Sequence, residues 1–187
     1  MKRPRPNPWL VLAVAGGLAY PFIVYFGLAR VPPAALLLVG LALIGLRLIG
    51  LRRLAGVRSW LAAFALAAAG LVGLLLARPE LAVKAYPVAV SLAAAAVFAL
   101  SLHFPPPVIE RIARLTEPDL PPKGVAYTRR VTEVWVGFLL LNASISAATA
   151  VWGSLDQWTL WNGLLSYLAM GALFAGEFVV RQRVRRS

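Results

Sequence analysis

Residues 33–51 read PAALLLVGLALIGLRLIGL, and this stretch decides how many times the chain crosses a membrane. Its apolar run approaches the roughly 20 residues that span a bilayer core, but Arg47 interrupts it near its end. A long basic side chain near a helix end can extend to the lipid headgroups. We therefore predict a membrane helix here, with Arg47 as a candidate contact for an anionic lipid headgroup.

Five further apolar runs flank this one, at residues 9–29, 60–77, 81–102, 131–152 and 158–180. The 187-residue chain has 60% hydrophobic residues and a mean hydropathy of +0.77, and its charges gather between the runs. Soluble domains are only about half apolar. The sequence therefore predicts an all-α polytopic membrane protein, residues 1–187 forming one domain, a bundle of about six transmembrane helices.

The 19 Lys and Arg residues are distributed unequally between the two predicted sides. All but Arg30, Arg78 and Lys84 fall on the side that holds both termini. Omitting the helix at residues 33–51 would destroy this asymmetry, so the charges support the helix that hydropathy leaves doubtful. Under the positive-inside rule we predict a multi-pass protein of the bacterial inner membrane, with both termini in the cytoplasm.

Composition also argues against several classes of function. The basic residues lie at the ends of apolar runs, where anionic headgroups would meet them, so nucleic-acid binding is not predicted. With no Cys and one His, the sequence predicts no disulfide, metal site or cofactor, and it contains no catalytic motif. The first apolar run continues past the small residues 13–15 to Ala29, which favours an uncleaved helix over a signal peptide.

Residues 103–130 form the longest connection, on the predicted cytoplasmic side. Apolar residues recur at helical spacing over residues 108–117, which predicts a short amphipathic helix on the inner leaflet. Its apolar side holds Val108, Ile109, Ile112, Leu115 and Thr116, and its polar side holds Glu110, Arg111, Arg114 and Glu117. The Pro- and Gly-rich residues 118–124 predict a non-helical return, and a plain connector explains the loop equally well.

The tripeptide Ala-Tyr-Pro at residues 19–21 recurs at residues 85–87, and a proline cluster follows both helices concerned. Two halves of three helices each would have opposite orientations in the membrane. Such 3+3 inverted repeats are common in secondary transporters, where proline-interrupted helices mark the substrate site. Independent use of interfacial Tyr and of Pro in membrane helices is the alternative.

Two of the predicted helices carry polar stripes at bilayer depth. The fifth has Trp135, Asn142, Ser146 and Thr149 on one face, and the sixth has Asn162, Ser166, Met170, Leu173 and Glu177. Small residues of the sixth helix, at Gly163, Gly171 and Ala175, would allow close approach, so we predict that the two helices pack together. The stripes either hold the bundle together by hydrogen bonds or line a polar cavity.

Three charged residues have a structural interpretation beside a functional one. Glu177 precedes Arg181 by four residues, the favourable order for a helical ion pair, and Glu133 follows Arg129 at the same spacing. Lys84 lies in the first turn of the predicted fourth helix, where it could bind a lipid phosphate from outside. Simple extension towards the headgroups explains Lys84 as well.

Several motifs in the second half carry a family resemblance. They are KAYP at 84–87, PVIER at 107–111, YTRRVT at 127–132, Trp135, Asn142, WNG at 161–163, Tyr167, Phe174 and Glu177. Over residues 82–183 the chain resembles a family of uncharacterised bacterial inner-membrane proteins. Members are encoded near enzymes of fatty-acid-like or aryl-polyene synthesis, which implies a role in handling lipid or polyene intermediates. The resemblance points to Lys84, Glu110, Arg111, Tyr127, Arg129, Asn142, Asn162 and Glu177.

Our leading hypothesis is a small carrier or flippase-like component for a lipid or acyl intermediate. Its candidate binding residues are Arg47, Lys84, Tyr86, Asn142, Ser146, Asn162 and Glu177. The alternative is a non-catalytic scaffold that docks biosynthetic enzymes through the loop at residues 103–130, with Glu110, Arg111, Tyr127 and Arg129 as contacts. An intramembrane enzyme is the third hypothesis. It would require a cavity that holds Glu133 or Glu177 and perturbs the pKa of that carboxyl.

The partners that we predict follow from these hypotheses. Membrane lipids surround the bundle, and anionic headgroups meet its basic residues on the cytoplasmic side. Biosynthetic enzymes are partners under the scaffold hypothesis. Six short helices enclose little volume, so a homodimer is also reasonable.

Overall fold

The structure is a computed structural model that describes residues 8–51 and 57–186. It is 87% helical and contains no strand in the part described. Five helices are long and apolar enough to cross a membrane, and a further apolar helical segment, Val11–Gly27, is shorter. The prediction of an all-α polytopic protein is therefore confirmed.

The helices follow one another as α1 (Pro8–Gly27), α2 (Pro33–Leu51), α3 (Val57–Ala77), α4 (Pro79–Lys84), α5 (Tyr86–His103), α6 (Val108–Arg114), α7 (Pro122–Val151), α8 (Leu155–Leu160) and α9 (Ser166–Arg186). One π-helical turn, Trp161–Leu165, joins α8 to α9. α5 packs between α3 and α7, while α1 packs against α2, α8 and the π-helical turn. The predicted bounds of the second helix, residues 33–51, match α2 residue for residue.

We call the end of the bundle where α1 begins and α9 ends the basic end, and the other the opposite end. The opposite end holds the α1–α2 turn, the α3–α4 turn and the α7–α8 turn. Some residues assigned to the predicted cytoplasmic side, Lys2, Arg3, Arg5, Arg52 and Arg53, lie outside the described residues. Which end faces the cytoplasm stays a prediction.

Large apolar side chains cover the outer surface of the bundle. Leu38, Leu66 and Leu76 expose 65%, 76% and 84% of their surface, and Phe26 and Phe178 expose more than half of theirs. Each Å² of apolar surface left in water costs about 25 cal/mol relative to burial. A surface of this kind requires lipid, which is the environment that the sequence predicts.

The predicted fourth helix, residues 81–102, is broken in two. α4 ends at Lys84, and α5 begins at Tyr86 after Ala85, whose ψ angle of −8° departs from the helical value. Pro87 explains the break, because it has no N–H for the turn before it and its ring crowds that turn. Lys84 therefore ends a short helix, and its predicted place in the first turn of a long helix is wrong.

Side chains from two other helices bind the backbone at this break. Pro87 cannot donate to the carbonyl of Val83, four residues earlier, and the Tyr20 hydroxyl of α1 donates to it instead, at 3.2 Å. The indole Nε1 of Trp158 in α8 donates to the carbonyl of Lys84 at 3.0 Å. Tyr20 and Trp158 are both fully buried, so the break is fixed from within the core.

We expect Tyr20→Phe to destabilise the protein by about 1 kcal/mol, because the Val83 carbonyl would lose its side-chain donor. Tyr86→Phe is the matched control, since the Tyr86 hydroxyl is buried without a hydrogen-bond partner among the described residues. Its removal should not lower stability. Thermal unfolding in detergent, followed by circular dichroism, measures both. Equal Tm values for Tyr20→Phe and Tyr86→Phe would contradict this explanation of the break.

The fifth long helix begins earlier than predicted. α7 starts at Pro122 instead of Val131, with proline in the first turn, where its missing N–H needs no helical partner. The predicted non-helical return over residues 118–124 is therefore wrong from Pro122 onward. This extension carries Tyr127 and Arg129 on α7 and removes them from the loop.

The short helix in the loop spans Val108–Arg114, within the predicted residues 108–117, and one residue of its predicted polar side is buried. Glu110, expected on the polar side, is only 5% exposed and pairs with Arg114, whose Nη2 lies 2.8 Å from its Oε1. A buried carboxylate needs such a partner. Ile112 and Leu115, expected on the apolar side, are 47% and 71% exposed. An interfacial helix presents apolar side chains of this kind to lipid, so that prediction stands untested.

The last span begins at Leu155, before the predicted Trp158. Ser154 caps it: its Oγ accepts from the Gln157 N–H at 3.2 Å, while Gln157 Oε1 accepts from the Ser154 N–H at 3.0 Å. This reciprocal capping box follows from the pattern Ser-x-x-Gln, which is visible in the sequence. The π-helical turn that follows has no comparable sequence signal.

Candidate functional site

The predicted polar residues meet inside the bundle where α5, α7 and the π-helical turn pack together. Ser146 Oγ donates to Asn162 Oδ1 at 2.7 Å, and Asn142 Nδ2 donates to Ser91 Oγ at 3.0 Å. All four residues are buried. The two stripes therefore meet as predicted at Ser146 and Asn162. Asn142 turns instead to α5, because Ser91 is a polar group in an otherwise apolar face.

At the basic end, Glu177 of α9 has a different partner from the predicted one. The Tyr127 hydroxyl of α7 lies 3.2 Å from Glu177 Oε1 and 3.1 Å from the Glu177 carbonyl oxygen, and it can donate to either. No ion pair within 4.0 Å joins Glu177 to Arg181 in the part of the chain described, so that predicted pair is wrong. The predicted pair of Arg129 and Glu133 is present at 3.4 Å and is half exposed.

The arginines of the loop region bind the protein's own backbone. Arg111 donates to the carbonyls of Pro106 and Phe104, at 2.6 and 3.3 Å. Arg129 donates to the carbonyl of Leu102 at 3.2 Å. These contacts fix the connection between α5 and α7. Arg111 and Arg129, which were predicted to dock enzymes, therefore have a structural role.

Arg47 of α2 does not extend to the headgroups. Its Nη2 atom lies 2.8 Å from the position that a Cβ atom on Gly17 would occupy, and Gly17 is the tenth of the 20 residues in α1. At 1.5 Å per residue, this position is about 14 Å from either end of α1. The guanidinium therefore lies near the middle of the bundle, and the predicted extension to the helix end is wrong.

Aromatic side chains surround this guanidinium. The Tyr86 ring centroid lies 5.9 Å from Arg47 Cζ, and the Tyr167 hydroxyl lies 3.7 Å from the same Cβ position on Gly17. A cation over an aromatic face gains up to about 2 kcal/mol when desolvated. We call Arg47, Gly17, Tyr86 and Tyr167 the mid-depth cluster. Tyr86 was a candidate from the sequence, whereas Gly17 and Tyr167 were not.

Two hydrogen-bond donors of the mid-depth cluster are unsatisfied among the described residues. Arg47 Nη1 and the Tyr86 hydroxyl are both buried without a hydrogen-bond partner among the described residues. In the described part of the chain, the ion pairs within 4.0 Å join Arg114 to Glu110 and Arg129 to Glu133. Arg47 therefore has no carboxylate partner among these residues. A charged side chain at the centre of a bilayer costs several kcal/mol unless a partner compensates it. The cluster therefore has the chemistry of an anion-binding site.

The two Ala-Tyr-Pro tripeptides meet beside this cluster. The rings of Tyr20 and Tyr86 have centroids 4.3 Å apart, and both lie against Gly40 of α2, where a Cβ atom would be 2.9 Å from Tyr86. Pro21 leaves the Gly17 carbonyl without a helical donor, just as Pro87 does for Val83. The inverted repeat itself remains a prediction, but both tripeptides contribute to the same interior region.

The π-helical turn widens the sixth span beside α1. Gly163 in this turn would place a Cβ atom 3.0 Å from the Phe22 ring, so the small residue permits close approach to α1, whereas the prediction was close approach to the fifth predicted helix. No other helix in the described part of the chain comes within 4 Å of the Cβ position of Gly171, so the prediction of close approach at Gly171 is wrong. Trp161 Nε1 is buried without a partner among the described residues. π-helical turns within α-helices often occur at functional sites.

The mid-depth cluster and the polar contacts near it offer donors, acceptors and the Arg47 cation, whereas the carboxylates of Glu110, Glu133 and Glu177 lie elsewhere, and Glu110 is paired with Arg114. Glu133 is half exposed at the surface, and Glu177 is tied to Tyr127. Within residues 8–51 and 57–186, no group of three or more His, Asp or Glu side chains is placed to hold a metal ion. The arrangement is therefore suited to binding an anion by hydrogen bonds and charge.

Comparisons of the chain with protein-family models, with curated proteins and with solved structures find no match. The side chains of the mid-depth cluster and of the polar contacts around Asn162 are thus the basis on which a function can be proposed. Of these, the mid-depth cluster can hold a negatively charged group away from water, because Arg47 Nη1 is buried without a partner among the described residues. The side chains of Ser146 and Asn162 bond to each other and to the backbone.

Proposed function

We propose that this membrane protein is a small carrier, flippase-like in action, that binds the anionic head of a lipid or acyl intermediate halfway through the bundle. The observation that carries this proposal is the guanidinium of Arg47 at mid-depth, whose buried Nη1 has no hydrogen-bond partner in the described part of the chain. An anionic head passing from one leaflet to the other must cross this depth. A fixed cation there lowers the barrier to that passage.

The backbone near the cluster has the features of a carrier site. Secondary transporters bind substrate near the bilayer midplane, where interrupted helices expose polar backbone groups. Here Pro21 interrupts the hydrogen bonds of α1, and Pro87 separates α4 from α5. Tyr20 and Tyr86 each precede one of these prolines. Their ring centroids lie 4.3 Å apart with the rings tilted, and the Tyr86 ring lies beside Arg47.

An acyl chain can remain in the lipid while its head occupies the cluster. Tyr167 is partly exposed, and the neighbouring Leu164 of the π-helical turn and Leu168 of α9 are 47% and 60% exposed on the lipid-facing surface. Tyr167 therefore links the mid-depth cluster to the lipid-facing surface formed by Leu164 and Leu168. The family resemblance, which implies lipid or polyene intermediates, supports a ligand with an apolar tail.

The scaffold remains a second candidate function. Phe104, Ile112 and Leu115 of the connection between α5 and α7 are 70%, 47% and 71% exposed, which suits either an enzyme partner or the inner leaflet. Phe104→Ser together with Leu115→Ser should release such a partner while leaving transfer between leaflets unchanged. Retained association in a pull-down would count against docking through this surface.

The carrier proposal is tested in phosphatidylcholine vesicles that contain a trace of fluorescent phosphatidylglycerol. The protein should make the label of the inner leaflet accessible to dithionite at a rate about tenfold or more above that of Arg47→Gln, because one charge-assisted contact is lost. Arg30→Gln is the control, since Arg30 is an exposed arginine at the opposite end. Equal rates for the wild type and Arg47→Gln would reject the proposal.

A further inference from the structure

The opposite end of the bundle contains a cavity of about 610 Å³. Its walls come from the start of α2, the turn between α3 and α4, α4 itself and the end of α7, including Pro33, Arg78, Lys84 and Val151. Sites for small molecules occupy about 300–1,000 Å³. The cavity is thus large enough for a phospholipid headgroup, although not for a whole lipid.

Two cations and one acid line this cavity. Arg78 and Lys84 each carry a positive charge and Glu80 a negative one, so the cavity has a net charge of one positive unit. Neither cation lies within 4.0 Å of a carboxylate oxygen of the described residues, where the ion pairs involve Glu110 and Glu133. The basic residues at this end are Arg30, Arg78 and Lys84. Arg78 and Lys84 line the same cavity, and neither charge is neutralised by an ion pair among the described residues.

The other walls of the cavity are apolar. Pro33, Leu81, Ala150 and Val151 complete the lining, and Val151 is 56% exposed on the lipid-facing surface. Trp152, which follows it, is 83% exposed, as is usual for tryptophan at a membrane interface. Cations beside an apolar wall at the interface suit a ligand with a charged head and a hydrocarbon tail. Free phosphate would use only the cations.

The position of Lys84 is held by the fold. The indole of the fully buried Trp158 donates to the Lys84 carbonyl, and the Tyr20 hydroxyl donates to the carbonyl of the preceding Val83. The backbone that carries Lys84 is therefore anchored, and only its side chain needs to order when a ligand binds. Binding sites on anchored backbone lose less conformational entropy than sites on free loops.

We propose that this cavity, the opposite-end pocket, binds the phosphate of a phospholipid with one negative charge from the leaflet at that end of the bundle. It is distinct from the mid-depth cluster, because none of the residues that line it belongs to that cluster. The pocket binds lipid whether or not the protein carries lipid between leaflets. Its test is therefore independent of the proposed function.

Native mass spectrometry of the full chain, titrated with phosphatidylglycerol in detergent, tests the pocket. An Arg47→Met background removes the contribution of the mid-depth cluster. In that background, Arg78→Gln with Lys84→Gln should weaken phosphatidylglycerol binding about tenfold or more, since two charged contacts are lost. Arg30→Gln, at the same end but outside the lining, should leave it unchanged.

Glu80→Gln provides a test with the opposite sign, which also holds if the double variant does not fold. Removing the acid from the lining should tighten phosphatidylglycerol binding, whereas a pocket without a role in binding would show no change. Phosphatidylcholine should bind more weakly to the unaltered pocket. Equal binding of phosphatidylglycerol and phosphatidylcholine would overturn the proposal. Displacement of phosphatidylglycerol by an equal concentration of inorganic phosphate would also overturn it, because free phosphate would then be the ligand.

Discussion

Replacing Arg47 by Met is expected to stabilise the protein and, at the same time, to abolish rapid transfer of anionic lipid. The guanidinium lies against Gly17 at the middle of α1 and keeps a buried Nη1 without a partner among the described residues. Apolar replacement of buried charged groups often stabilises proteins by about 1 to 4 kcal/mol, even when the charges are paired. Met is similar in length and needs no partner, so the ligand-free variant should unfold at a higher temperature.

A group that lowers stability and is nevertheless present is expected at a functional site. Thermal unfolding in neutral detergent measures the first effect, and dithionite bleaching of fluorescent phosphatidylglycerol measures the second. Arg30→Met is the control, because Arg30 is exposed and loses only its hydrogen bond to the Phe26 carbonyl, so this variant should not unfold at a higher temperature than the wild type. If Arg47→Met unfolds at a lower temperature than the wild type, Arg47 is a structural residue and the anion site is wrong.

The number and bounds of the helices followed largely from hydropathy and charge. The bounds of α2 were predicted without error. Pro33 suits the first turn of a helix, and the apolar run that it begins continues to Leu51. The start of α7 was missed because Pro122 was interpreted as a breaker, although proline is favoured in the first turn. The capping box at Ser154 was a readable signal that the prediction overlooked.

The candidate site was predicted only in part, and the reason is the direction of side chains. Helical side chains lean towards the N-terminus of their helix. Arg47 follows this rule and points back along α2 towards Tyr86, although its place near the helix end suggested the nearer headgroups. Ser91 was not identified, and Tyr167 was noted only as a residue of the family resemblance, because their importance depends on which helices become neighbours. That choice is made by packing of the whole bundle.

Gly17→Ala should separate the position of the Arg47 charge from its presence. A Cβ atom on Gly17 would lie 2.8 Å from Nη2, which is closer than side chains approach one another, so the guanidinium must move. The atom that moves is the far end of a flexible side chain, and alanine is the better helix former by about 1 kcal/mol. Stability should therefore stay equal or rise, while the charge is displaced from the path of the anion.

We expect Gly17→Ala to slow transfer of fluorescent phosphatidylglycerol about tenfold, which corresponds to about 1.4 kcal/mol. Gly45→Ala is the matched control, because it makes the same change within α2, where no atom lies within 4 Å of the new Cβ atom. It should gain the same helical stability and keep the wild-type rate. Should both variants transfer lipid at that rate, the location of the guanidinium would be irrelevant to function. Slowing by Gly17→Ala alone would mean that the cation acts at mid-depth, because the charge is present in both proteins and only its position differs.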